Sequence, residues 1–359
     1  MKNGDKMMNT QNAGAVVRFT LAAAFAAFAC CGNMLADDGK AKEWKVGAPV
    51  PGMPHVIMGA GEGQYLPEPG WKFASDAAGD FSVMPVEAKE ARVPAWGKDL
   101  RIPAPEGFWT LEDENPIAKL LNLQTDVDTK SKTIGIWART ESGLWDDIQS
   151  AGVKVTHTFY DKRMSLSAFG MACEAMQKEY EDLAKKSAAA VNKMAESVSR
   201  EATRLAETNV SVSVDDVRFL PPYSVARDRF CFTVVRRERN DIGGEKSISF
   251  SVTSGAMLWV RGTAFNLYVA YGVVEKESDL EGAITATRDK LAKWIAAVVA
   301  VNDREHIDDE DAVAKSDPDC IDPEKQQRSS WSPIGGRILM WTVIGGVWGL
   351  LSSLFKKKS

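Results

Sequence analysis

An uncharged apolar stretch near the C-terminus constrains this chain more than any other feature of its sequence. It covers residues 338–355, and Lys356, Lys357 and Lys358 follow it directly. A helix rises about 1.5 Å per residue, so about 18 residues cover roughly 27 Å, close to the hydrocarbon thickness of a bilayer. Basic residues favour the cytoplasmic side of a membrane. We therefore predict a single transmembrane anchor over residues 333–359, with the C-terminus in the cytoplasm and the preceding domain outside.

The opposite end has the order of a secretory signal peptide. Lys2, Lys6 and Arg18 precede an uncharged run over residues 19–29, and small residues follow. We predict a signal peptide over residues 1–36. Both ends then place the domain on the same side of the membrane, as in a single-pass protein of the bacterial inner membrane with a periplasmic domain.

Alternatives remain at both ends. Signal cleavage is expected after Ala36, but Ala29 ends an A-x-A site as well. Cys30 and Cys31 leave a lipoprotein open, and an uncleaved signal anchor is a further alternative. The C-terminal lysines also resemble a eukaryotic retrieval signal.

Charge narrows the range of partners. The formal net charge is −5, and both ends carry a positive excess, so the region between them is more acidic than the whole chain. An acidic surface repels phosphate backbones. We expect no nucleic-acid partner; the expected partners are the membrane and an envelope protein.

Hydrophobic periodicity in the middle of the chain predicts strands and helices. Strand patterns occur near residues 99–103, 133–137 and 153–160, where apolar residues alternate with Lys154 and other polar residues. A helical pattern over residues 166–208 follows, and then four more strand patterns over residues 210–271, which turn residues separate and which predict an antiparallel meander. Ser278 and Glu281 have capping-box spacing and open a final helix. One face of that helix is predicted to be apolar and carries Leu280, Ile284, Leu291, Ile295 and Val298. The predicted fold over residues 97–302 is α+β, an antiparallel sheet covered by a long helix and a C-terminal helix.

Two flanking segments have the composition of irregular chain. Residues 37–96 are rich in proline and glycine, and we predict an extended region of loops and short strands. Residues 303–332 are acidic with few apolar side chains, so burial cannot offset their ordering entropy. We predict a flexible linker there.

Two short motifs resemble the PsbP-like family, an α/β/α sandwich found in photosystem accessory proteins and in exported bacterial proteins. One motif covers residues 100–109, which are similar to a strand entering the family's I-P-x-G-W turn, and the other covers residues 262–271. The resemblance extends over about residues 97–302. It implies a partner-binding domain and carries over no catalytic residue.

Candidate chemistry is sparse. The chain has three histidines, His55, His157 and His306, too few for a histidine-rich metal site. His157 lies in a strand pattern, where a general base beside Tyr160 or Asp161 is one interpretation and a core histidine the other. We assign no catalytic, cofactor-binding or metal-binding residue and expect no cofactor.

Cysteine arithmetic leaves one question open. If the signal is cleaved after Ala36, the remaining cysteines are Cys173, Cys231 and Cys320. Three is an odd number, so at least one thiol is unpaired within the chain. Cys173 and Cys231 either form a disulfide between helix and strand or are buried separately.

The sequence favours a non-enzymatic function. We predict an exported, membrane-tethered protein that binds a partner or scaffolds an envelope assembly. The long helix would supply the contact through Tyr180, Leu183, Val191 and Met194, unless these side chains cover the sheet. The alternative is an envelope hydrolase with a site near His157, under the proline- and glycine-rich region.

Overall fold

The computed structural model describes fourteen stretches of the chain. They are residues 48–58, 65–75, 81–95, 99–111, 131–141, 148–156, 162–178, 192, 195–196, 199–200, 203, 209–242, 244–302 and 306–323. The predicted signal peptide and transmembrane segment lie outside these residues. Among the described residues, no helix combines the length and hydropathy that crossing a membrane requires.

The described residues form short ribbons, one large sheet and three α-helices with described bounds, and residues 192, 195–196, 199–200 and 203 are helical as well. The strands are β1 (Val56–Met58), β2 (Tyr65–Pro67), β3 (Trp71–Ser75), β4 (Phe81–Pro85), β5 (Ala91–Val93), β6 (Leu100–Ile102), β7 (Trp109–Thr110), β8 (Ser131–Arg139), β9 (Gln149–Thr156), β10 (Val210–Ala226), β11 (Arg229–Ile242), β12 (Glu245–Val260) and β13 (Thr263–Val274). The helices are α1 (Leu166–Lys178), α2 (Leu280–Val301) and α3 (Ile307–Ser316).

Contacts divide the chain into two units. The smaller one contains residues 1–44 and 73–83, of which the structure describes parts of the paired strands β3 and β4. Phe73 in this unit is exposed. The larger unit contains residues 45–72 and 84–359 and holds the large sheet.

The large sheet has seven strands in the order β10-β11-β12-β13-β9-β8-β7, and neighbouring strands pair antiparallel. Strands β10 to β13 form the predicted meander. The β12–β13 turn has positive φ at both Arg261 (51°) and Gly262 (80°), the conformation of a two-residue type I′ hairpin. The predicted α+β class with a large antiparallel sheet and helices is confirmed.

Helix α2 covers one face of the sheet, which we call the α2 face. Its apolar stripe is buried against Leu258, Leu267 and Val269. Trp294 of α2 meets Trp137 of β8 edge to face, with ring centroids 5.5 Å apart. The predicted buried stripe of the last helix is confirmed at five positions: Leu280, Ile284, Leu291, Ile295 and Val298.

Helix α1 packs on the opposite face, the α1 face. Phe169 and Met176 of α1 lie in one apolar cluster with Phe230, Phe232 and Trp259 of the sheet. The edge strand β10 is held by two helical residues. Asn192 exchanges hydrogen bonds with both backbone groups of Val214, and Ser199 Oγ accepts one from Val212 N. These bonds satisfy backbone groups that a sheet edge would otherwise expose.

Strand β9 differs from the half-buried strand that its alternation predicted. Gln149 to Val155 are buried throughout, and Lys154 is only 4% exposed. The period of two is present, but both faces of the strand are covered: Ala151, Val153 and Val155 lie in the core of the α2 face, and Tyr268 lies over Gly152 and Lys154 on the other face. Alternation alone does not distinguish a solvent-facing polar row from a buried one.

Residues 303–332 do not all form the predicted flexible linker. Residues 307–316 are helix α3, and Glu310, Ala314, Cys320 and Ile321 are buried. Ala314, Cys320 and Ile321 belong to the apolar cluster of the α1 face. Ala314 is the one buried apolar residue of α3, and Cys320 and Ile321 follow the helix, so its docking depends on a surface that other parts of the chain provide.

Two finer boundaries also differ from prediction. The expected domain boundary after residue 96 falls inside a ribbon, because β5 pairs with β6 and Val93 is buried in the α2-face core. The predicted capping box is wrong: α2 has Asp279 at its N-cap with no side-chain cap, and Ser278 Oγ donates to Asp279 Oδ1 instead. A 3₁₀ turn over Glu277–Asp279 leads into this helix.

Candidate functional site

Three half-buried aromatic side chains in the proline- and glycine-rich region form the candidate site, which we call the aromatic patch. It consists of His55, Trp71 and Trp109. The His55 and Trp71 rings stack with centroids 3.5 Å apart and planes 9° from parallel. Glu68 Oε2 lies 2.9 Å from His55 Nδ1 and fixes the imidazole from its edge. The two rings therefore form one rigid surface.

Backbone geometry sets the positions of these rings. His55 has a positive φ of 62°, and its carbonyl accepts a hydrogen bond from Glu68 N at 2.9 Å. Glu68 O in turn accepts one from Trp71 N at 3.0 Å. A positive φ is uncommon outside glycine and costs energy that neighbouring contacts must offset. Here those contacts are the ones that present the histidine to Trp71.

The third ring approaches through a glycine. Gly70 has a φ of 81°, and a Cβ built there would lie 3.5 Å from the Trp109 ring. Trp109 pairs with Ala138 of β8, so the large sheet carries this ring directly. Arg139 follows Ala138 in β8, and its guanidinium nitrogen Nη1 lies 3.2 Å from the position that a Cβ on Gly107 would occupy. The patch is thus built partly on the rigid sheet.

The patch has the chemistry of a contact surface. Tryptophan and arginine are enriched at the centres of protein interfaces, where they provide large contact areas with few rotatable bonds. The His55 side chain is 40% exposed, and Trp71 and Trp109 are half-buried, so all three rings can reach a partner. Burying them further would gain apolar contact with little loss of side-chain freedom.

The second unusual region is a buried polar row on the α1 face. It runs along two adjacent strands, and its members are at most 3% exposed: Arg236, Glu238 and Asn240 on β11, and Ser249, Ser251 and Thr253 on β12. Ser251 Oγ donates to Glu238 Oε1 at 2.6 Å, and Asn240 Nδ2 donates to Ser249 Oγ at 2.9 Å. Glu238 Oε1 lies 4.0 Å from Arg236 Nε.

Burial dominates the electrostatics of this row. It raises the pKa of Glu238, although Arg236 and the Ser251 hydroxyl pull that pKa down. Burial likewise lowers the pKa of Arg236. Perturbed ionisable groups can mark functional sites, but structural ion pairs perturb them too. The hydrogen bonds within the row support a structural role.

The polar character of the α1 face continues on β9 and β13. The Tyr268 ring crosses Gly152 so closely that a Cβ there would overlap the tyrosine hydroxyl. Lys154 Nζ is 5.7 Å from the centroid of the same ring. Burial raises the pKa of Tyr268 far above its ordinary value, so this hydroxyl stays protonated at neutral pH. Glycine at position 152 is therefore required by packing.

The histidines considered as candidate site residues do not come together in the described part of the structure. His55 belongs to the aromatic patch, and His306 is exposed at the N-terminus of α3, 3.7 Å from Asp308. His157, Tyr160 and Asp161 lie outside the described residues, so the hydrolase alternative depends on the sequence alone. The four helix residues predicted to contact a partner, Tyr180, Leu183, Val191 and Met194, also lie outside.

Among the described residues, Cys173 and Cys231 are free thiols, and both are buried, as is Cys320. Cys231 alternates with Phe230 and Phe232 along β11, so it points to the α2 face, whereas Cys173 packs on the α1 face. The sheet therefore separates the two thiols, and the disulfide left open by the sequence is absent. Burial raises the pKa of Cys173 to about 12 and that of Cys231 to about 11, which keeps both as unreactive thiols.

Neither a metal site nor a known relative identifies this chain. Within the described residues, no three acidic, histidine or cysteine side chains are grouped to hold a metal ion. Comparisons with protein-family models, curated proteins and solved structures found no match. The PsbP-like resemblance stays a prediction.

In the sequence, Trp71 belongs to the proline- and glycine-rich region of residues 37–96 and Trp109 to the motif of residues 100–109, and no pattern connects the two rings. The signal was a cluster of aromatic residues among prolines and glycines, a composition that offers rings without a helix or long strand to bury them. The buried polar row is harder to predict from the sequence, because serines and threonines that alternate along a strand are equally typical of a solvent-exposed face.

Proposed function

We propose that this chain is an exported, membrane-tethered protein whose α+β domain binds a protein partner through the aromatic patch. The observation that carries the proposal is the stacking of half-exposed His55 on Trp71, held by Glu68. A preorganised aromatic surface loses little entropy on binding. Anchoring in the bacterial inner membrane, with the domain in the periplasm, is supported by the charge pattern at both ends of the sequence.

The arrangement of polar groups supports binding more than catalysis. Among the described residues, those with strongly raised pKa values lie inside the sheet layers, where burial itself causes the shift. The aromatic patch presents a carboxylate and an imidazole, but these are bonded to each other and flanked by rings. Such a site is suited to binding the surface of a partner protein through apolar contact.

Substitution in the patch tests the binding proposal. The full-length tagged chain is captured from its native membranes as wild type, Trp71→Ala, Trp109→Ala and Ile248→Ala. Ile248 is a control because it is exposed and lies on β12 in the large sheet. Truncating a central interface aromatic costs about 2 kcal/mol or more, so Trp71→Ala should reduce one discrete captured protein at least tenfold.

The control should capture as much partner as the wild type. Circular dichroism and urea unfolding of each variant verify that the fold is retained. Equal capture by all four proteins would overturn the aromatic patch as the binding site.

A separate experiment tests the tether. Alkaline carbonate should leave the full-length chain with the membranes and release a variant that lacks residues 333–359. Release of the full-length chain would overturn the anchor and the location derived from it, without bearing on the aromatic patch.

A further inference from the structure

The chain just before the predicted anchor is part of the folded domain. We call residues 307–322 the C-terminal clamp. Ile321 forms a parallel bridge with Met164, in which Ile321 N donates to Arg163 O at 2.7 Å and Ser165 N donates to Ile321 O at 2.9 Å. The clamp is therefore fixed by backbone hydrogen bonds immediately before α1 begins.

Helix α3 fixes the clamp at two further points. Asp311 Oδ1 accepts a hydrogen bond from Leu166 N, the first residue of α1, at 2.6 Å. Glu310 Oε2 accepts one from Arg261 N in the β12–β13 turn at 3.2 Å. The Ala314 methyl lies 2.9 Å from where a Cβ on Gly262 would stand, so α3 sits directly on this turn. The clamp and the turn form one end of the sheet, which we call the clamp end.

Docking of the clamp shortens the tether. The predicted flexible linker of residues 303–332 would reach about 100 Å when extended. With Ile321 and Asp322 buried, about 14 residues separate the last described residue, Pro323, from the apolar run. Their maximum reach is about 50 Å. The clamp end is then held within about 50 Å of the bilayer, a tighter limit than applies to the opposite end of the sheet.

The clamp end also has a surface suited to a bilayer interface. Val225 and Val313 are 57% and 53% exposed, the two highest values among the exposed large hydrophobic side chains described. Val225 lies just before the β10–β11 turn, whose Arg227 pairs with Asp308 of α3 at 2.8 Å. Lys315 pairs with Asp311 at 3.0 Å. These pairs reduce the repulsion that the acidic side chains would otherwise feel from anionic lipids.

We propose that the domain faces the bilayer with its clamp end, so that Val225 and Val313 contact the lipid surface and the β11–β12 turn points away. This orientation rests on the proposed membrane tether. Strand β12 runs from the β11–β12 turn to the clamp end, and its 16 residues span about 50 Å. The two ends of the sheet should therefore differ strongly in their distance from lipid.

Energy transfer to the membrane measures this difference. A fluorescent amino acid replaces Asp319 at the clamp end or Lys246 at the other end; both positions are exposed. The full-length chain is reconstituted into phosphatidylcholine vesicles that contain an acceptor lipid. We expect transfer from position 319 to exceed transfer from position 246 severalfold. Inserting about 30 glycine and serine residues after position 326 should lower the transfer from position 319.

The outcomes separate the two proposals. Equal transfer from both positions, or greater transfer from position 246, in a carbonate-resistant protein would overturn the orientation and leave the tether intact. Release of the full-length chain by carbonate would overturn both. A third variant, Val225→Ser with Val313→Ser, tests lipid contact: it should lower transfer from position 319 while the urea midpoint stays unchanged, and unchanged transfer would overturn that contact.

Discussion

The two faces of the seven-stranded sheet are stabilised by different interactions, although the same strands form both faces. The α2 face is mostly apolar, and some of its polar groups bond one another: Ser254 Oγ lies 3.0 Å from Thr233 Oγ1 and 2.8 Å from Thr287 Oγ1. The α1 face has an apolar half under α1 and a polar half that contains Arg236 and Glu238. On the α2 face, stability comes from the apolar surface area that is removed from water. In the polar half of the α1 face, it depends on each buried charged group keeping its hydrogen-bonding or ion-pair partner.

The difference implies unequal tolerance to mutation. An apolar side chain on the α2 face can be replaced by another of similar volume at modest cost. A charged member of the buried polar row cannot lose its partner without leaving an uncompensated charge in a low dielectric. Variants on the two faces should therefore fail for different reasons.

The largest effect is expected for Trp294→Ala on the α2 face. The side chain is buried, contacts Trp137 edge to face, and donates from Nε1 to Pro103 O at 2.7 Å. Removing it leaves a cavity and an unpaired carbonyl, with an expected loss of about 3–5 kcal/mol in the free energy of unfolding. Urea unfolding followed by circular dichroism measures the loss.

Trp294→Phe is the matched control. It retains most of the volume and loses the hydrogen bond, so a loss of about 1–2 kcal/mol is expected. If both variants unfolded at the wild-type urea concentration, the α2 face would not be the stabilising layer described.

The next effect concerns Glu238→Ala in the buried polar row. It leaves the Arg236 guanidinium buried without its carboxylate, and we expect a loss of about 3 kcal/mol. The double variant with Arg236→Met removes both charges and should recover most of that loss. Additive losses in the double variant would show that the pair is not coupled.

The pH dependence of stability should also distinguish the faces. Burial raises the pKa of Glu238 in the folded state above its unfolded value, so the folded state holds this proton more tightly. Its contribution to stability is therefore greatest below the ordinary glutamate pKa and decreases as the pH rises toward the raised folded value. Glu238→Gln should remove this decrease. Urea midpoints of both proteins at pH 4 and pH 7 test it, and an identical difference in the two proteins would contradict it.

The smallest effect is expected from reducing agents. Cys173 and Cys231 lie on opposite faces as free thiols, so dithiothreitol should leave the urea midpoint and the gel mobility unchanged. A thiol reagent should label them slowly at pH 8 in the folded protein and rapidly in urea, because their raised pKa values and burial both suppress the thiolate. A mobility shift on reduction would indicate a disulfide that involves other residues or chains.

Much of the fold was accessible from periodicity. The β10–β13 meander and the buried stripe of α2 were predicted because each element carries its own period of hydrophobic residues. The buried Lys154 and the docked α3 were not, since their environment is created by other parts of the chain. The same holds for the aromatic patch: Trp71 and Trp109 are 38 positions apart and meet through Gly70.

The sequence by itself determined the α+β class, the antiparallel meander and the amphipathic last helix, because these follow from local alternation and turn residues. It also supplies the charge pattern on which the predicted anchor rests. The tertiary structure decided which polar residues are buried, that the sheet separates Cys173 from Cys231, and that an acidic segment docks. Whether a residue is buried depends on the elements that pack against it from other parts of the chain. The local sequence of one strand or helix contains no information about those elements.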